Sequence, residues 1–373
     1  MTDDTIPQPD RIDGAPHPRD TPRIFGQDAA QQAFLEAFNT GHLHHAWLIT
    51  GPRGTGKATL AWAIARFLLA TPPDAGDALF GAPPPVTSLD IDPGHPTARR
   101  LRAGSEPGLF VLKRPWDEKA KRLRQEITVE EARRMKGFFA LSAADGGRRV
   151  VIVDAADELN TSAANAILKI LEEPPKDTTI LMIAHQPSAL LPTIRSRCRE
   201  LRLAPLSPED IAQALTQAGI APEGQTDALA ALAAGSAGEA VRLSLLDGPK
   251  LYADLVQLFD TLPRLDRARG LALAEAAAVR GAEDRRDLIN SLTDLFLARL
   301  ARTGATGAPP RPEAAPGEAQ LLARLAPDAR SARRWAEAAQ EIGARSRHGK
   351  AVNLDPAALI LDTLFRIQKT AAA

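Results

Sequence analysis

The chain has 373 residues, enough for two or three domains with buried cores. Lys+Arg and Asp+Glu number 46 each, so the net charge is zero and a global basic field for nucleic acid is excluded. The single cysteine, Cys198, excludes disulfides within the chain and any cysteine-built zinc module; with no apolar run of membrane-spanning length, it points to a reducing cytoplasm and no membrane partner.

Residues 1–22 are polar and rich in Pro and Asp, lack the apolar core of a signal peptide, and read as a disordered tail. From Asp28 to Phe38, Ala29, Ala30, Ala33, Phe34, Ala37 and Phe38 recur at helical spacing, and Gly41 ends that helix. Ala46 to Thr50 is a short apolar strand meeting the glycine-rich run Gly51-Pro52-Arg53-Gly54-Thr55-Gly56-Lys57-Ala58, and Lys57 to Ala70 is a helix. Strand, glycine loop and helix in that order are the context of a phosphate-binding P-loop. The segment Thr71 to Glu106, rich in Pro and Gly, reads as an irregular insertion.

Leu109 to Leu112 is the next strand, and Thr128 with Glu131 forms a capping box for a helix through Phe139. Val150 to Val153 is a fully apolar strand ending in Asp154. Asn160 opens a helix to Glu173 that Pro174-Pro175 stops. Ile180 to Ala184 and Leu201 to Leu203 complete the strands. Their alternation with helices predicts an α/β fold, a parallel sheet covered on both faces, over residues 23–205. Beyond Pro205 only helices are expected. Ser207-Pro208-Glu209-Asp210 starts a small helical unit over 206–247, and a larger one spans 249–373 around the loop Gly304 to Gly317.

The chemistry lies in what the cassette keeps and lacks. Gly51, Gly54 and Gly56 let backbone N–H groups turn onto phosphate oxygens, and Lys57 adds a point charge. A hydrolysing P-loop needs a hydroxyl on Mg²⁺ after the lysine, where this chain has Ala58; Thr59 is one residue on, about 100° around the helix. Asp154 stands where a metal-facing aspartate would, but Ala155 follows it, and Asp157 and Glu158 are shifted along the next turn. No metal is therefore expected. The cradle either is empty or holds ATP or ADP without hydrolysis.

Two other groupings favour bland readings. Lys113, Arg114, Lys119, Lys121, Arg122 and Arg124 surround Trp116, but Asp117, Glu118 and Glu126 dilute them into a solvated, partner-facing surface. Asp90, Asp92 and His95 around Pro93-Gly94 read as a tight turn. Cys198, with no readable Cys–His pairing, is expected to be a small buried residue.

Leu171-Glu172-Glu173-Pro174-Pro175, Ser196-Arg197-Cys198 and His44-His45-Ala46 before the P-loop strand resemble the clamp loaders of bacterial DNA polymerase III, members of the AAA+ group. The resemblance covers most of residues 24–247. Working ATPases of that family, the tau/gamma subunits, carry Ser or Thr after the P-loop lysine, Asp-Glu at the metal strand, and an arginine in the segment matching Gly235-Ser236-Ala237-Gly238. Ala58, Ala155 and Gly238 replace these here, the pattern of the family's non-hydrolysing delta′ type. The resemblance implies an AAA+ domain, a helical lid and a C-terminal helical collar joining five subunits. It also implies tau/gamma and delta subunits, a sliding clamp and primed DNA as partners. It makes Arg197 a finger reaching a neighbouring subunit's ATP, worth roughly 10³–10⁵ in rate. The alternative is an active tau/gamma-type ATPase or related AAA+ helicase using Thr59 as a displaced metal ligand. Many relatives carry a four-cysteine zinc module where this chain has 71–106. Leu354, Leu359, Leu361, Leu364 and Phe365 form an apolar face suited to either intrachain core or ring packing.

Overall fold

The structure, a computed structural model, describes residues 7–71, 84–140, 147–221, 224–279 and 281–373. The chain folds into two compact units, Met1–Gly219 with Gly235–Gly238, and Ile220–Ala234 with Glu239–Ala373.

The first unit is built in the order α1 (Asp28–Asn39), β1 (Ala46–Thr50), α2 (Lys57–Ala70), α3 (Pro96–Arg102), β2 (Leu109–Lys113), β3 (Trp116–Asp117), β4 (Arg122–Leu123), α4 (Val129–Ala140), β5 (Arg149–Asp154), α5 (Thr161–Glu172), β6 (Thr178–Ile183), α6 (Pro192–Arg195), β7 (Arg199–Arg202) and α7 (Pro208–Gln217). Five strands form a parallel sheet in the order β2-β5-β6-β1-β7. Alternate residues of the central strands feed opposite cores. Trp47, Ile49, Val150, Ile152, Leu181 and Ile183 pack with α1 and α2, while Leu48, Val151, Val153, Ile180 and Met182 pack with α4 and α5. Because both faces are covered, β5 and β6 are buried almost throughout, with four apolar residues in a row in each. The sheet order places the ends of β1, β5 and β6 side by side, with β2 and β7 at the edges.

Several sequence expectations need correction here. Residues 7–22, expected as a disordered tail, lie against this unit: Pro18–Asp20 forms a 3-10 turn, and His17 is buried. The Arg66 guanidinium of α2 donates to the carbonyl oxygens of Arg19 (3.0 Å) and Thr21 (3.4 Å). Polar composition misled because these groups find partners far along the chain. The insertion 71–106 contains α3, capped by His95, whose Nδ1 accepts from the Thr97 N–H; its residues 72–83 lie outside the described residues. A two-stranded hairpin, β3–β4, follows β2. At α4, Glu130 rather than Glu131 hydrogen-bonds Thr128, and Glu131 pairs with Arg134 at 2.7 Å. α7 starts from Ser207 as expected, and Ser207 and Asp210 close a reciprocal capping box there.

The second unit is helical: α8 (Thr226–Ala233), α9 (Ala237–Leu245, its first two residues in the first unit), α10 (Gly248–Asp260), α11 (Arg267–Ala278), α12 (Glu283–Thr306), α13 (Glu318–Leu325), α14 (Ala329–Ala351) and α15 (Pro356–Ala372). Tyr252, Phe259, Phe296 and Trp335 are fully buried in it. Gly304, expected to open a loop, belongs to α12, where a Cβ would come within 2.5 Å of the Asp328 carbonyl oxygen at the start of α14. Glu318 is wholly buried, accepting from Arg299 Nε (2.6 Å), Arg299 Nη2 (2.9 Å), Tyr252 Oη (2.5 Å) and the Ala314 N–H (2.7 Å). The apolar set 354–365 divides: Leu364 is buried, whereas Leu354 and Phe365 are exposed. No helix among the described residues is long and apolar enough to cross a membrane.

Candidate nucleotide cradle and arginine site

The loop between β1 and α2 turns through Gly51, Gly54 and Gly56, all at positive φ. The buried Gln27 side chain ties it down, donating to the carbonyl oxygens of Thr55 (3.2 Å) and Ala204 (2.9 Å) and accepting from the Ala204 N–H (3.2 Å). Nothing in the sequence beyond a polar residue ahead of a helix signals that role.

The Lys57 ammonium is turned inward. It donates to the carbonyl oxygens of Gly51 (2.7 Å) and Pro52 (2.6 Å), and burial pushes its pKa down to about 8 against the pull of Asp154 and Asp157. The loop's outer side is covered as well. The Gly238 N–H donates to the Gly54 carbonyl (3.2 Å), and a Cβ on Gly54 would meet Ser236 Oγ at 2.1 Å. A Cβ on Gly238 would meet Ile12 Cδ1 at 2.6 Å, and one on Gly56 would meet Ile24 Cδ1 at 3.3 Å. An arginine at 238 would have to displace both Ile12 of the N-terminal segment and the loop at Gly54. Ala58 packs against the core that lies over α2, and Thr59 is half-buried beside it.

Asp154 ends β5, opposite Lys113 in register on β2. Burial, then Asp10 and Glu158, push its carboxyl up to about 7 despite Lys113 and Lys57, so much of the population is neutral near pH 7. Asp10, on the N-terminal strap, receives Lys113 Nζ at 2.8 Å and His17 Nε2 at 3.1 Å. Burial raises its pKa, but these partners more than offset that and hold it well below the usual carboxylate range. Asp157 accepts from the N–H groups of His185 (3.0 Å) and Gln186 (3.2 Å), and Glu158 pairs with Arg114 at 2.8 Å. A Mg²⁺ site does not fit: position 58 offers no hydroxyl, and Asp157 and Glu158 are engaged elsewhere. Among the described residues no group of three His, Cys, Asp or Glu side chains could hold a metal.

His185, which the sequence reading did not single out, stands just beyond β6. Its Nδ1 is buried without a hydrogen-bond partner among the described residues, and burial with Lys57, Arg53 and Arg114 nearby pushes its pKa down to about 4. Being the first ionisable residue after an apolar strand was its only signal.

Arg197 lies apart from this cradle in its contacts. It follows α6, with Nη1 donating to the Thr193 carbonyl (2.9 Å) and Nη2 3.0 Å from Glu172 Oε1 at the end of α5. Its side chain is 37% exposed. Cys198 beside it is 3.9 Å from Met182 Sδ, and burial pushes its thiol up to about 12, which removes it as a nucleophile near neutral pH. His45 Nε2 donates to the Leu171 carbonyl at 3.0 Å, joining the end of α5 to the start of β1. The basic residues near Trp116 are largely paired: besides Lys113 and Arg114, Lys121 meets Glu118 and Arg124 meets Asp117. Asp92 accepts from the Gly94 N–H at 2.7 Å, closing a turn ahead of the His95 cap.

The family described as "DNA polymerase III, delta subunit" matches residues 26–207. The chain is 36% identical over 225 residues to DNA polymerase III subunit delta′ of Pseudomonas aeruginosa, covering 59% of this chain and 61% of that protein. With subunit delta′ of Bacillus subtilis it shares 29% over 237 residues, 63% and 65% of the two chains. With subunit gamma/tau of Mycobacterium tuberculosis it shares 27% over 278 residues, 69% and 44%. The chain thus spans less than two thirds of the length of these relatives. The matched segment 26–207 carries the glycine loop, Asp154 and Ser196-Arg197-Cys198.

Proposed function

We propose that this chain is a non-hydrolysing, delta′-type subunit of a cytoplasmic DNA polymerase III clamp loader. In that assembly Arg197 completes the ATP site of a neighbouring tau/gamma-type subunit, and the complex, with a delta subunit, opens the sliding clamp and places it on primed DNA. Residues 23–205 serve as the AAA+ domain, 206–247 as a lid and 249–373 as the collar. DNA is met through backbone amides and helix N-termini facing phosphates, a sequence-independent mode. The observation that carries the reading is the state of the chain's own cradle: Lys57 is spent on Gly51 and Pro52, and Gly238 backs onto Gly54. Arg197, in contrast, is partly exposed, and its contacts among the described residues, Glu172 and the Thr193 carbonyl, are ones a phosphate can replace.

The test compares ATP turnover of the reconstituted complex with and without primed DNA. Arg197→Ala is expected to leave assembly intact and to depress DNA-stimulated turnover by at least about 10-fold, given the roughly 10³–10⁵ that such arginines supply to a single site. Unchanged turnover would overturn the role. Steady phosphate release from the isolated chain, abolished by Lys57→Ala, would instead establish the tau/gamma-type reading with Thr59 on the metal.

A further inference from the structure

We infer that Glu172 is a positioning residue for Arg197, parking its guanidinium at the end of α5 and competing for it with a neighbouring subunit's triphosphate. This rests on the role proposed for Arg197 and adds a second residue to it. The guanidinium presents its N–H groups in a fixed planar fork, and two directions of that fork are taken. Nη2 faces Glu172 Oε1 at 3.0 Å and Nη1 donates to the Thr193 carbonyl at 2.9 Å. A phosphate oxygen approaching along either of these two directions must displace the acceptor already there.

Glu172 stands on a fixed stretch of backbone. It is the last residue of α5, the carbonyl before it is held by His45, the N–H after it donates to the Lys169 carbonyl at 3.2 Å, and Pro174-Pro175 closes the helix. A helix C-terminus also carries partial negative charge, which favours a cation there before any triphosphate arrives. The pair is nonetheless easily exchanged, because its side chains are 37% and 45% exposed and water screens their attraction. The carboxylate therefore keeps a long, flexible side chain in one orientation and subtracts from its charge until a more highly charged partner is presented.

The test uses the full chain in the reconstituted ATPase assembly, with Glu172→Gln removing the charge and keeping the shape. At low salt, turnover without DNA is expected to rise about 1.4- to 5-fold, the rate equivalent of roughly 0.2–1 kcal/mol. The apparent KM for ATP should fall. The gap between variant and parent should close at about 1 M salt, where the Debye length is roughly 3 Å and the parent's pair is screened. In an Arg197→Ala background, Glu172→Gln should change nothing. Turnover equal to or below the parent's at low salt, or a rise that survives in the Arg197→Ala background, would overturn the inference while Arg197 keeps its role. If Arg197→Ala by itself leaves turnover unchanged, both fall together.

Discussion

Asp154 holds its place at the end of β5 against the preference of its own charge. Its folded pKa of about 7 lies above the ordinary 3.8. Between those values the folded chain retains a proton that the unfolded chain has lost, so this group's contribution to stability falls as pH rises through that window. Below about pH 4 the effect is absent, and above pH 7 it is complete. Asp154→Asn keeps the shape and removes the titration. Its urea midpoint should exceed the parent's at pH 8 by the equivalent of roughly 1–3 kcal/mol, less than the full conversion of the shift, with the advantage vanishing toward pH 4. An advantage that grows on acidification would contradict the burial of this carboxyl.

At the scale of elements, what the sequence made legible was local. Asn160, Ser207 and the strand–loop–helix around Gly51 announce themselves within a few residues, because a cap or a phosphate loop is a short-range arrangement. What stayed hidden depended on partners far away. The strap 7–22 reads as disordered until Lys113 is brought to Asp10 and Arg66 to Arg19, and β3 and β4 are too short to show alternation. Glu172 and Arg197 could each be found by motif, but their contact belongs to the fold. Gly304 was misread because glycine signals a helix end as readily as a close helix–helix crossing. At the α12–α14 crossing the neighbouring atom is backbone, which cannot yield as a side chain would. Gly304→Ala should cost about 1–3 kcal/mol, read as a lowered thermal midpoint; an unchanged midpoint would mean the helices do not approach so closely.

On the scale of the molecule, each unit buries charge by the same means. In the α/β unit Asp10 is neutralised by Lys113 and supported by His17; in the helical unit Glu318 is neutralised by Arg299 and supported by Tyr252. Such pairs contribute little net stability when whole but are costly to break, since one charge is then left without compensation. Glu318→Leu should therefore destabilise the chain by roughly 3–5 kcal/mol in urea unfolding, and adding Arg299→Met should recover most of that loss. A single substitution with no effect would mean that water reaches Arg299.

The grip of Arg66 on the strap has a consequence for what can change. Arg66 takes hold of two main-chain oxygens, those of Arg19 and Thr21, and every amino acid, proline included, carries that oxygen. The clasp itself therefore asks nothing of the side chains at 19 and 21, and part of the instruction for the path of the N-terminal segment is written in α2, more than forty positions downstream of the residues it fastens.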